Sequence, residues 1–190
     1  MTAAEHAADA VRRFDRERYL TTLFAPREAR AALWAVYAFN LELAKTRELR
    51  EEIARAIRLQ WWRDVVEAIY GGTALPPAPV AQALAQAVAE RGIARPRLDA
   101  LIHSYETESI EEISARLMQV ALEVLGATDD VSMEAGRLVG LAYATGEQRY
   151  RHEARKLNPP KSAMPALLLR RGGRVSLPLL LALAAVSGRW

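Results

Sequence analysis

A chain of 190 residues, 51% of them hydrophobic, is long enough for one sizeable core and short for two, so a single folded domain over 1–190 is expected and global disorder is excluded. With no cysteine, the chain can hold no disulfide framework, no thiolate nucleophile and no Cys-ligated zinc or iron–sulfur site. The formal net charge of +3 hides an asymmetry: residues 137–190 are net +8 and residues 1–136 net −5.

The first segment, MTAAEHAADAVRRFDRERY, lacks the apolar core of about 7–15 residues that a secretory signal needs, which predicts a cytoplasmic protein with residues 1–15 flexible. After Pro26, a first-turn proline, Leu33, Tyr37, Asn40, Ala44 and Glu48 share one stripe at helical period and predict one long helix. A second stripe, Ile53, Ile57, Trp61, Val65 and Ile69, stops at Gly71-Gly72. Trp61 and Trp62 point about 100° apart, so one faces the core and its neighbour meets another surface. Residues 73–79, TALPPAP, form a Pro-rich loop because proline removes backbone donors. An alanine-rich helix over Val80–Arg91 ends at Gly92. Pro96 opens the next, and Ser109 with Glu112 has the spacing of a capping box ahead of a helix to Leu125. A helix over Val131–His152, a break at Asn158-Pro159-Pro160 and two short apolar helices complete the chain. No segment alternates with period 2 long enough to make a strand, so the class is all-α.

The stretches DRERYLTTLFAPREARAALWAVYAFNLE, residues 15–42, and IRLQWWRDVVEAIYGG, residues 57–72, carry more than packing. Their aromatic, Pro, Arg and Ala-Phe-Asn positions together resemble the squalene/phytoene synthase family, and within it the branch of mitochondrial complex I assembly factors and their bacterial relatives. The resemblance is strong over 11–72, weak over 96–155 and poor beyond. It implies an isoprenoid-synthase-like helical bundle, here shortened. In active members two aspartate-rich segments on facing helices hold Mg²⁺ against a prenyl diphosphate; hard oxygen ligands at i and i+4 hold ions that neutralise the leaving group. Carried onto this chain, the first pair of carboxylate positions falls at Ala44 and Glu48 and the second at Arg151 and Arg155. The family's arginine after Tyr-Ala-Phe-x is Leu41 here, and its serine-rich entry is Arg18-Tyr19. The resemblance therefore implies no catalytic residue, no metal ligand and no cofactor, with Mg²⁺ expected only if the chain is an enzyme. It places Tyr37, Asn40, Glu48, Arg151 and Arg155 at degenerate positions lining a pocket.

Other carboxylate pairs are better explained without metal. Glu48/Glu52 lie among Arg47, Glu51 and Arg55, which read as exposed ion pairs, and Glu108/Glu112 sit at a helix start where acids suit the helix dipole. His6, His103 and His152 have no spacing that makes a metal site or a nucleophile–base pair. The basic C-terminal third suits an anionic partner; without interleaved aromatics or a recognised motif it does not point to nucleic acid. The apolar run Leu177 to Val186 is far short of the roughly 20 residues that span a bilayer. Flanked by Arg170, Arg171, Arg174 and Arg189, it could dock on an anionic membrane surface or pack as a core helix. Three functions remain open. One is a non-catalytic assembly or biogenesis factor with respiratory complex subunits as protein clients, peripheral at the inner membrane face. The second is a transferase joining prenyl diphosphates head to head. The third is a helical membrane- or partner-binding module, with or without a prenyl lipid.

Overall fold

In the computed structural model, which describes residues 1–107 and 109–169, helices account for all regular structure among the described residues. The α-helices are α1 (Ala3–Phe14), α2 (Arg16–Thr22), α3 (Arg27–Ala44), α4 (Glu52–Gly71), α5 (Pro79–Arg91), α6 (Arg95–Glu106), α7 (Ile110–Val124), α8 (Asp130–Thr145), α9 (Gln148–Lys156) and α10 (Met164–Leu167). The bundle is all-α.

Helix α3 is the axis. Ten of its residues are buried, from Ala29 to Leu43, and α1, α2, α5, α6 and α7 all pack against it. An alanine-rich helix suits that place, because small side chains let neighbours approach on several sides at once. Trp62 of α4 is 1% exposed and meets Phe39 edge-on at 4.9 Å, while Trp61 lies at the boundary and packs edge-on against Trp62. The broadest pairing is α7 against α8. It turns on Gly140, where an added Cβ would lie 2.6 Å from the Ser114 carbonyl oxygen and 2.8 Å from the Ala115 Cα, so only glycine lets the two backbones touch.

Local chemistry sets most boundaries. Gly72 and Gly92 end α4 and α5 in the left-handed conformation, and the Ser109 hydroxyl accepts from the Glu112 amide to open α7.

Several expectations are corrected. Residues 3–14 are a helix rather than a flexible segment: Thr2 and Glu5 cap each other reciprocally, and Ala7 and Val11 are buried against α3 and α5. The predicted long helix stops at Ala44, and Lys45–Glu48 form a 3₁₀ turn in which the buried Thr46 hydroxyl donates to the Leu43 carbonyl. The helix expected over Val131–His152 is two, divided at Gly146 with φ +79°. The first part of the predicted stripe, Ile53 and Ile57, faces out with 76% and 65% exposure, while Val65 of the same stripe is buried together with Leu59, Trp62 and Val66. Glu48 and Glu52 belong to different elements, so their spacing is not that of one helix face. Glu108, the apolar run 177–186 and the arginines at 170, 171, 174 and 189 lie outside the described residues. No described helix is long and apolar enough to cross a membrane.

Candidate functional site

The positions that the family resemblance singles out lie in two places. The first is a groove of about 630 Å³ between α1 and the end of α3. Ala38, Leu41 and Ala44 of α3 with Ala10 of α1 and Val80 of α5 give it an apolar floor, and His6, Asp9, Arg13, Glu42, Lys45 and Glu48 stand around it. The charges on its rim are largely spent on one another. Arg13 pairs with Asp9 at 2.9 Å, and Glu42 takes Lys45 at 2.5 Å and Arg58 of α4 at 3.0 Å. Ala44 contributes a methyl at a position where the resemblance implies a carboxylate, and Glu48 stands exposed in the 3₁₀ turn. One carboxylate facing one methyl cannot hold a Mg²⁺ ion between two hard ligands, so these residues do not fit the metal that the family implies. Among the described residues no three His, Asp or Glu side chains gather as a metal site.

The second place is a buried polar cluster that the sequence reading missed. Arg18, 6% exposed, donates to the Asp15 carboxylate at 2.6 Å, and its guanidinium lies over the rings of Tyr143, at 4.8 Å, and Tyr37, at 5.9 Å. Asp15 also accepts the Arg18 amide and so caps α2. Burial disfavours the Arg18 charge, but Asp15 outweighs it and holds the guanidinium protonated. Tyr143 donates to Glu17 at 2.5 Å, and Tyr105 donates to the side-chain oxygen of Asn40 at 2.8 Å. Burial raises the hydroxyl pKa of Tyr37, Tyr105 and Tyr143, so all three stay neutral donors at physiological pH. A cation already neutralised by Asp15, with the Tyr105 and Tyr143 hydroxyls already donating, leaves little to offer a diphosphate. The signal available in the sequence was the Asp15–Arg18 spacing at a helix start, which reads equally well as an ordinary surface cap.

Of the five residues expected to line a pocket, Tyr37 and Asn40 are buried in this cluster and Glu48 stands on the groove. Arg155 is exposed. Arg151 is 5% exposed, and its guanidinium donates to the backbone carbonyls of Leu167 and Leu169. The resemblance implies a metal-holding aspartate here; this arginine clamps α9 to the end of α10. His103 is exposed and bonded to Glu106. The structure thus gathers part of the predicted set and separates the rest.

The sequence pattern of the squalene/phytoene synthase family matches residues 11–109. The human protein named NADH dehydrogenase (ubiquinone) complex I, assembly factor 6, is 29% identical over 152 residues, covering 72% of this chain and 45% of its own. The Drosophila melanogaster homolog of that factor is 28% identical over 163 residues, covering 73% and 48%. The Dictyostelium discoideum homolog is 23% identical over 175 residues, covering 81% and 49%. The chain spans about half the length of these curated relatives. No solved structure gives a significant match. The family match begins in α1 and runs through the α2 cap, the α3 axis and the Trp61-Trp62 pair to the Ser109 cap of α7, so it includes Arg18, Tyr37, Asn40 and Tyr105 of the cluster and the α3 side of the groove, while Tyr143 lies beyond it. The chain belongs to the squalene/phytoene synthase family.

Proposed function

We propose that the protein is a non-catalytic member of its family that acts as an assembly or biogenesis factor for a respiratory NADH dehydrogenase of the complex I type. The observation that carries this reading is the fate of the metal-holding positions. Ala44 is a methyl on the groove wall, and Arg151 is buried against two backbone carbonyls. A cation at that position opposes the ion the reaction needs, and its hydrogen bonds give it a structural task. The names of the relatives support the same reading, since each is called a complex I assembly factor. Its clients are respiratory subunits, met at the inner face of a membrane, where the basic C-terminal third contributes attraction to anionic lipid.

The experiment has two arms. Cells lacking the gene are expected to lose assembled complex I from their membranes on native gels and to regain it when the chain is restored. Calorimetry with farnesyl diphosphate and Mg²⁺ is expected to show no metal-dependent binding. Normal complex I in the deletion strain, with tight metal-dependent binding of the diphosphate, overturns the proposal in favour of a prenyl transferase. The apolar floor of the α1–α3 groove supports one addition, a prenyl or other aliphatic chain held without its diphosphate being activated.

A further inference from the structure

The groove between α1 and α3 is apolar on its floor and one-sided in the charge left free on its rim. Small side chains at Ala10, Ala38 and Ala44 keep the helices from filling the space between them, and Leu41 and Val80 line it. Along α1 the lining runs from His6 to Phe14, about 12 Å at the helical rise. Its volume of about 630 Å³ is in the range that small ligands occupy. Phe14, 76% exposed, adds a bare aromatic edge. The lining cations are committed: Arg13 pairs with Asp9, and Lys45 pairs with Glu42, which also takes Arg58 from α4. Glu48, exposed in the 3₁₀ turn, makes no hydrogen bond or ion pair among the described residues. A charged head on a bound ligand therefore meets a free carboxylate and no uncommitted lysine or arginine.

We propose that this groove takes an amphiphile with a single aliphatic chain and a primary ammonium head, the chain on the alanine floor and the head at Glu48. The inference rests on the reading that the groove holds an aliphatic chain without activating a diphosphate, and it adds the chemistry of the head. An ammonium gains a charge-assisted hydrogen bond to the Glu48 carboxylate. A phosphate is repelled by that carboxylate, and it can recruit Arg13 or Lys45 only by breaking the pair that each already makes. An uncharged alcohol neither gains nor loses, which places it between the two. The chain as a whole carries +3, a charge that draws anions, so a preference for the amine has the opposite sign to non-specific attraction. Glu48 is exposed and water screens it, so each step of the preference is small, about threefold in affinity.

The test compares three probes with the same chain, dodecylamine, dodecanol and dodecyl phosphate, by calorimetry with the full chain and below the concentrations at which they form micelles. The amine is expected to bind about threefold more tightly than the alcohol, and the alcohol about threefold more tightly than the phosphate. Glu48→Gln should bring the amine to the level of the alcohol, and Glu48→Lys should put the phosphate first. Both changes fall at an exposed position and leave the bundle folded. Ala44→Phe and Ala10→Phe fill the groove from opposite walls, and each, shown to be folded by circular dichroism, should weaken all three probes together. A phosphate bound as tightly as the amine, or an amine preference that persists in Glu48→Gln, overturns the ammonium head alone. Binding of none of the probes, or binding that survives both groove-filling variants, overturns the aliphatic-chain reading with it. Neither result bears on complex I assembly, which the deletion strain decides.

Discussion

Arg18 carries a charge into the core of the bundle. It brings a charge into the space between α2, α3 and α8, and that charge is tolerable only because Asp15 is there to meet it. Asp15→Ala is therefore expected to cost about 3–5 kcal/mol in denaturant unfolding, since it strands a buried guanidinium. The pair Arg18→Met with Asp15→Asn should cost less than Asp15→Ala alone. If the single change proves the milder of the two, the pair is not buried in solution. Trp62→Ala should likewise cost about 3–5 kcal/mol, and Trp61→Ala clearly less, read as melting temperatures of the two variants. The sequence announces that one of these tryptophans is core, because neighbours on a helix cannot share a contact. It does not say which. The more regular apolar stripe runs through Trp61, and only the packing of Phe39 against Trp62 decides the matter.

At the level of the helices, chain punctuation was legible where it is local. Gly72 and Gly92 terminate helices because they occupy the left-handed conformation, and Ser109 starts one because its hydroxyl takes a free amide. Helix α1 was missed because its apolar content is mostly alanine, whose burial against α3 and α5 is a tertiary fact. The division between α8 and α9 is not legible in the sequence, because an isolated glycine such as Gly146 fits the inside of a helix as well as its end. The cap of α8 supplies a pH test. The Asp129 carboxylate accepts from the Ser132 hydroxyl at 2.6 Å and from its amide at 2.9 Å, and these bonds hold its pKa below the ordinary aspartate value. A lowered folded pKa stabilises the protein above the unfolded value, near 3.9, and that contribution is lost as pH falls through the folded one. The melting-temperature gap between the unmodified chain and Asp129→Ala should therefore be largest at neutral pH and narrow below about pH 4. A gap that stays constant down to pH 2 would show that the carboxylate charge is not what caps the helix.

For the whole molecule, family membership was legible because the Tyr-Ala-Phe-Asn helix and the Trp-Trp helix keep their order. What Arg151 does was not, because its partners are carbonyls of residues 16 and 18 positions further on. The charge asymmetry predicts a modest preference for anionic over neutral vesicles, screened as the Debye length shrinks from about 10 Å at 0.1 M salt to about 3 Å at 1 M. Changing Arg170, Arg171 and Arg174 to Glu should abolish it; co-sedimentation unchanged in that variant would rule out this region as the contact. On the proposed non-catalytic reading, the clamp at Arg151 also bears on whether such a protein could gain enzymatic activity. Restoring an aspartate at Ala44 asks little of the fold, since that methyl faces an open groove. An aspartate at Arg151 is too short to reach the carbonyls of Leu167 and Leu169, so it would withdraw their donor and release the end of α10. On that reading one step is open and the other is barred by a side chain with a structural task, so the arrangement behaves as a ratchet: single substitutions towards the family's carboxylates meet instability before they meet activity.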